Sequence, residues 1–150
     1  MGFYKKVLVG TDGSETSLRA VDRAATIAGD NEADLVIVTA YEPANKWEVA
    51  RASDTLKASE AYLVVGSAPA ESALRDAALR ARSGGASKIE TLAVHGSAVQ
   101  VLDRAANDHG ADLLVIGNVG LNTLTGRILG SVPQAVARRS GVDVLIVHTS

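Results

Sequence analysis

The chain has 150 residues, a formal net charge of −2 and a pI near 5.9, with no Lys/Arg-rich run, so the electrostatic footprint of a nucleic-acid or anionic-membrane binder is missing. Hydrophobic residues make up 47% of it but aromatics only 3%, so the core must be built from Val, Leu, Ile and Ala, a composition suited to buried parallel strands under Ala-rich helices. The absence of cysteine excludes disulfides, thiolate metal sites and cysteine nucleophiles.

At this length folding buries roughly 70% of the unfolded chain's surface, and one domain over 1–150 is expected. No apolar stretch approaches the roughly 18 residues of a membrane span, and the opening MGFYKKVLVG lacks the apolar segment and cleavage site of a signal peptide. Gly2 fits a myristoylation signal, but Lys6 stands where that signal needs Ser or Thr. A soluble cytoplasmic protein without membrane or nucleic-acid partners is expected.

In chain order, KKVLVG (5–10) reads as a strand and TDGSETS as turn and N-cap residues. LRAVDRAATIAG then reads as a helix, with Leu18, Val21, Ala25 and Ala28 at helical spacing and a stop at Gly29 and Asp30. DLVIVTAY (34–41) is a second buried strand, and the pattern weakens between Glu42 and Gly66. A helix is predicted from about Ala70 to Ser83 with its stop at Gly84 and Gly85, then a strand over 88–94. SAVQVLDRAANDHG is a helix closing at Gly110, and ADLLVIG is the fourth strand. A glycine stretch follows, then a helix from about Ser131 to Ser140 and a last strand, VDVLIVHT.

Strands alternating with helices imply an α/β domain of three layers, a parallel sheet between two layers of helices. Such sheets bind ligands beyond the carboxyl ends of the strands, where strand order reverses. Asp34 and Asp112 precede strands and sit at the opposite end. Asp12, Tyr41 and Gly117 follow strands and sit at the binding end.

The stretch GNVGLNTLTGRILGS after the fourth strand places two residues between Gly117 and Gly120 and nine between Gly120 and Gly130. Ser131 suits an N-cap, and Pro133 is tolerated in a first helical turn. Helix N–H groups there can hold an anion, Gly117 and Gly120 admit it to the backbone, and Arg127 is within reach. Glycines after a strand also serve turns alone, and a solvated Arg127 is the plain alternative. The stretch is neither a P-loop, lacking Gly-Lys-Ser/Thr, nor a GxGxxG fingerprint.

V-G-T-D-G-S after the first strand, together with Gly-x2-Gly-x9-Gly-Ser after the fourth, resembles the universal stress protein family over essentially the whole chain. The NVGL, GR-hydrophobic-LGSVP and VDVLIVHT segments resemble an actinobacterial group, some members of which bind cyclic AMP in preference to ATP. The resemblance implies a five-stranded parallel sheet of order 3-2-1-4-5, Rossmann-like and similar to the adenine nucleotide alpha hydrolase fold. It implies that Gly10, Thr11 and Asp12 line a nucleotide, with the Asp12 carboxylate on ribose and the backbone near Ala40 on adenine. Gly117, Gly120, Gly130 and Ser131 would hold ribose and phosphate, with Asn118, Val119 and Val132 adding backbone groups. The family commonly has Ala or Pro where this chain has Gly10, which leaves room for a ligand held differently from ATP. The resemblance further implies a homodimer through the last strand, Val142 to His148, an apolar edge that soluble proteins otherwise cover.

Asp12-Gly13 before a helix also supports a turn or cap on its own. Ser83-Gly84-Gly85-Ala86-Ser87 precedes a strand and reads as a helix stop, and His95, His109 and His148 follow no metal spacing. Trp47 either covers the site or packs. No GxSxG elbow or pair of carboxylates falls at the binding end. The expected function is therefore non-catalytic binding of cyclic AMP, with ATP or AMP as further ligands, as a sink or sensor. The alternatives are an ATP-binding protein with slow ATPase or phosphoryl-transfer activity using Mg²⁺, and an interaction module with a vestigial pocket.

Overall fold

The computed structural model describes residues 2–41, 67–118, 134–136, 138 and 141–148. The described elements are β1 (Lys6–Gly10), α1 (Glu15–Asn31), β2 (Asp34–Tyr41), α2 (Ser67–Ser83), β3 (Ile89–His95), α3 (Ala98–Asp108), β4 (Leu113–Gly117) and β5 (Asp143–Val147). Residues 134–136 and 138 are helical, inside the helix predicted over 131–140.

The strands form one parallel sheet of order β3-β2-β1-β4-β5, the order expected, so the reversal lies between β1 and β4. Side chains alternate across it, as a two-residue period requires. Val7, Val9, Leu35, Ile37, Leu113 and Val115 pack under α1 and α2, while Leu8, Val36, Val38, Leu114 and Ile116 pack against α3 and Val136. The central strands are therefore apolar on both faces. Val7, Leu8 and Val9 are fully buried, each worth about 1.5–3 kcal/mol of transfer free energy. The outer strands β3 and β5 are only half-buried.

Alanines let the helices lie close to the sheet: Ala20, Ala24, Ala25 and Ala28 of α1 and Ala77 and Ala81 of α2 are buried. The Arg80 guanidinium joins the two helices. It donates to both Asp22 carboxylate oxygens at 2.8 Å and to Glu15 Oε1 and Oε2 at 3.0 and 3.2 Å.

Most element ends fall near the predicted places, with one correction. Helix α1 does not stop at Gly29; it runs to Asn31, and Glu32 takes the left-handed cap position at φ 54°. Gly29 serves close approach: a Cβ there would lie 2.8 Å from the Gly85 carbonyl oxygen. Helix α2 does stop as expected, with Gly84 N–H donating to Arg80 and Ala81 carbonyls and Gly85 at φ 117°. The weakly patterned segment 42–66, with Trp47, lies outside the described residues.

Candidate functional site

The carboxyl ends of β1 and β4 lie side by side at the sheet's middle, and the chain leaves β1 through a tightly bonded turn. Thr11 N–H donates to the Val38 carbonyl at 3.0 Å, extending the β1–β2 ladder past the last residue of β1. The Thr39 hydroxyl, fully buried on β2, donates to the Thr11 carbonyl at 2.8 Å. Gly13 N–H donates to Thr11 Oγ1 at 3.0 Å, and Asp12 N–H to Ser17 Oγ at 3.3 Å.

Proton counting fixes the direction of the contact between Thr11 Oγ1 and Ser17 Oγ, 2.7 Å apart. The single Ser17 hydroxyl proton goes to the Ser14 carbonyl at 2.9 Å, so Thr11 must supply the proton of the shared contact. Ser14 N–H then donates to Asp12 Oδ1 at 2.9 Å, closing an Asx turn. Ser14 Oγ accepts from Ser17 N–H at 3.2 Å and caps α1. The structural role foreseen as an alternative for Asp12 is thus real, and it occupies one carboxylate oxygen. Oδ2 has no partner among the described residues.

Gly10 ends β1, paired with Val38. The room left by its missing side chain is already taken: a Cβ there would lie 2.8 Å from Leu102 Cδ2 of α3. That side of Gly10 therefore faces the end of a flexible side chain of α3. Ala40 pairs with Val94 near the end of β2. Tyr41, one residue on, meets the His95 ring edge-on with centroids 6.1 Å apart.

Gly117 ends β4, paired with Val147. Asn118 follows, buried, with its N–H on the Val147 carbonyl at 2.8 Å and its Nδ2 3.0 Å from His148 Nδ1. The structure therefore brings Gly10, Thr11, Asp12, Ala40, Gly117 and Asn118 to one end of the sheet. Val119, Gly120, Arg127, Gly130, Ser131 and Val132 lie outside the described residues.

The three histidines occupy separate places: His95 beside Tyr41, His109 as the C-cap of α3 with Nδ1 3.4 Å from Glu90 Oε2, and His148 beside Asn118. At the opposite end of the sheet Asp112 has a structural task, accepting from Lys5 and Lys6 N–H at 2.9 and 3.0 Å. Sequence reasoning missed Ser17, Thr39 and His148 as parts of the binding end. A threonine inside the apolar run VIVTA was the available signal for one of them, since a buried hydroxyl must find a partner.

A profile of the Universal stress protein family matches residues 3–148. Universal stress protein Rv1636 of Mycobacterium tuberculosis is 54% identical over 150 residues, covering 100% of both chains. The crystal structure of a universal stress protein in complex with cAMP superposes with a TM-score of 0.77 at 48% identity, covering 99% of this chain and 100% of that one. At 22% identity, hypothetical protein MJ0577 shares the Rossmann-like fold with a TM-score of 0.75 over 99% of each chain.

Proposed function

We propose, from the premise that the chain belongs to the universal stress protein family, that it acts as a single domain over 1–150 and binds an adenine nucleotide, cyclic AMP first, at the carboxyl ends of β1 and β4. The observation that carries this reading is the likeness, at 48% identity over nearly the whole chain, to a universal stress protein bound to cyclic AMP. The geometry supports it. An Asx turn holds one Asp12 carboxylate oxygen and leaves the other without a partner among the described residues, just past the end of β1, where strand order reverses.

In this reading Asp12 Oδ2 accepts from a ribose hydroxyl, with Gly10 and Thr11 lining the nucleotide and the backbone near Ala40 meeting adenine. Gly117, Gly120, Gly130 and Ser131 hold ribose and phosphate, Asn118, Val119 and Val132 add backbone groups, and Arg127 reaches the phosphate. Cyclic AMP carries one negative charge and needs fewer cations than ATP, which suits a stretch whose single cation is Arg127. The role is that of a non-catalytic cytoplasmic sink or sensor.

The proposed assembly is a homodimer through β5. That edge strand has Val144, Leu145 and Ile146 half-buried in the single chain, the exposure that strand pairing would remove. A monomeric mass by light scattering at micromolar concentration would contradict it.

The test of function is calorimetric titration of nucleotide-stripped protein with cyclic AMP, ATP and AMP, with and without Mg²⁺. Tighter cyclic AMP binding, indifferent to Mg²⁺, is expected. Tighter, Mg²⁺-dependent ATP binding would favour an ATP-binding protein and reopen the question of slow hydrolysis.

A further inference from the structure

Helix α1 needs one cap, and Ser14 supplies it. Two further hydroxyls reach the same turn from outside the cap. Thr39 comes from the adjacent strand β2, and Ser17 comes from the first turn of the helix. Both converge on Thr11 and Asp12.

Thr39 stands at a position where a valine would fill the same volume without placing a hydroxyl in the core. The hydroxyl's partner is the Thr11 carbonyl, one bond before Asp12. Ser17 Oγ accepts the Asp12 N–H and the Thr11 hydroxyl proton while donating to the Ser14 carbonyl. Thr11 Oγ1 in turn accepts the Gly13 N–H. The N–H groups of Thr11, Asp12, Gly13 and Ser14 all have partners, so the peptide planes on both sides of Asp12 are fixed before a ligand arrives.

We propose that the Thr39 hydroxyl on the Thr11 carbonyl, together with the Thr11–Ser17 hydroxyl pair, is a positioning device for Asp12, holding one carboxylate oxygen inside the turn and presenting the other to the 2′-hydroxyl of a bound adenine nucleotide. The inference rests on the nucleotide reading above and adds Ser17 and Thr39 as positioning residues. Its physical basis is preorganisation: a carboxylate held in place before binding avoids the ordering cost that a mobile one incurs on contact. Ser17 and Thr39 act through Asp12 and need not touch the ligand.

The test is calorimetric titration of the stripped protein with cyclic AMP and with 2′-deoxy cyclic AMP. The wild type is expected to favour cyclic AMP by about tenfold or more, the size of one hydrogen bond to a charged group. Ser17→Ala and Thr39→Val lose most of that preference, and Thr39→Ser restores what Thr39→Val loses. In an Asp12→Ala background, Ser17→Ala costs no further affinity, because its effect passes through the missing carboxylate.

Ser17 is partly exposed, so Ser17→Ala keeps the test alive if Thr39→Val fails to fold. Variants that melt lower yet keep the wild-type preference would overturn the proposal, leaving both hydroxyls to the fold alone. A wild type that binds both ligands equally would also overturn it while sparing the nucleotide reading. A wild type that binds neither cyclic AMP nor ATP would end the nucleotide reading, and this inference with it.

Discussion

Helices α1 and α3 start by the same device. Each follows a strand through a glycine at positive φ, Gly13 at 85° and Gly96 at 138°. Each begins at a serine in extended conformation whose Oγ accepts from the N–H three residues on, at 3.2 Å for Ser14 and 3.4 Å for Ser97. The differences lie in what surrounds that common part. The α3 start hangs from the outer strand β3 and adds one ladder bond, Gly96 N–H to the Tyr41 carbonyl at 2.9 Å. The α1 start leaves the central strand β1 and adds Thr11, Asp12, Ser17 and Thr39. A glycine and a serine suffice to launch a helix here, so the extra hydroxyls and the carboxylate call for another explanation. The nucleotide reading supplies it.

The two starts are best separated by paired substitutions. Gly13→Ala and Gly96→Ala each force an L side chain into a positive-φ conformation, a cost of about 1–3 kcal/mol measurable by thermal denaturation. Gly13→Ala is the worse of the two, since its Cβ would lie 2.9 Å from Ala73 Cβ while that of Gly96 would lie 3.1 Å from Val101 Cγ2. Cyclic AMP affinity is expected to fall only in Gly13→Ala.

Ser14→Ala and Ser97→Ala remove the shared part and should lose similar stability, about 1 kcal/mol each in urea. Ser97→Ala should leave cyclic AMP affinity at the wild-type value. Unequal losses would mean that the two caps are not the same device.

Arg80 braces only the α1 start, through Glu15 and Asp22. Its hydrogen bond to Asp22, followed by that to Glu15, raises the guanidinium pKa, so the cation persists at any pH the protein survives. The side chains are substantially exposed, 33% for Arg80 and 68% for Glu15, so Arg80→Ala should cost less than about 1 kcal/mol, and less again in high salt.

The smallest effect concerns Tyr4, whose hydroxyl donates to Asp143 Oδ2 at 3.0 Å and ties the N-terminal segment to β5. That bond, then burial and the charges of Asp143 and Asp112, raise the phenol pKa above 10.0. A folded-state pKa above the unfolded one gives stability that is complete below pH 10.0 and is lost as pH rises through the raised value. Tyr4→Phe should flatten that alkaline slope in pH-dependent denaturation.

Much of the fold was legible because periodicity reports burial. VLVG and LLVIG are apolar without interruption because β1 and β4 are covered on both faces, and that placed Asp12 and Gly117 at the binding end. Glycine was less legible, because one residue type answers several needs. Gly29 looked like a helix stop but makes room for the Gly85 carbonyl, and a Cβ on Gly10 would meet Leu102 Cδ2 of α3. Both facts depend on neighbours more than fifty residues away. The bond from the Thr39 hydroxyl to the Thr11 carbonyl was hidden for a similar reason, since the two residues are 28 apart and meet only once β2 lies beside β1.

The central claim is that the β1 turn, and not its counterpart after β3, meets the nucleotide. The most direct measurement is the change in backbone amide NMR shifts when stripped protein is saturated with cyclic AMP. The largest changes are predicted at Thr11 to Ser14 and at Gly117 and Asn118, with Ser97 to Gln100 moving less. Largest changes at Ser97 to Gln100, with Thr11 to Ser14 unmoved, would contradict the account.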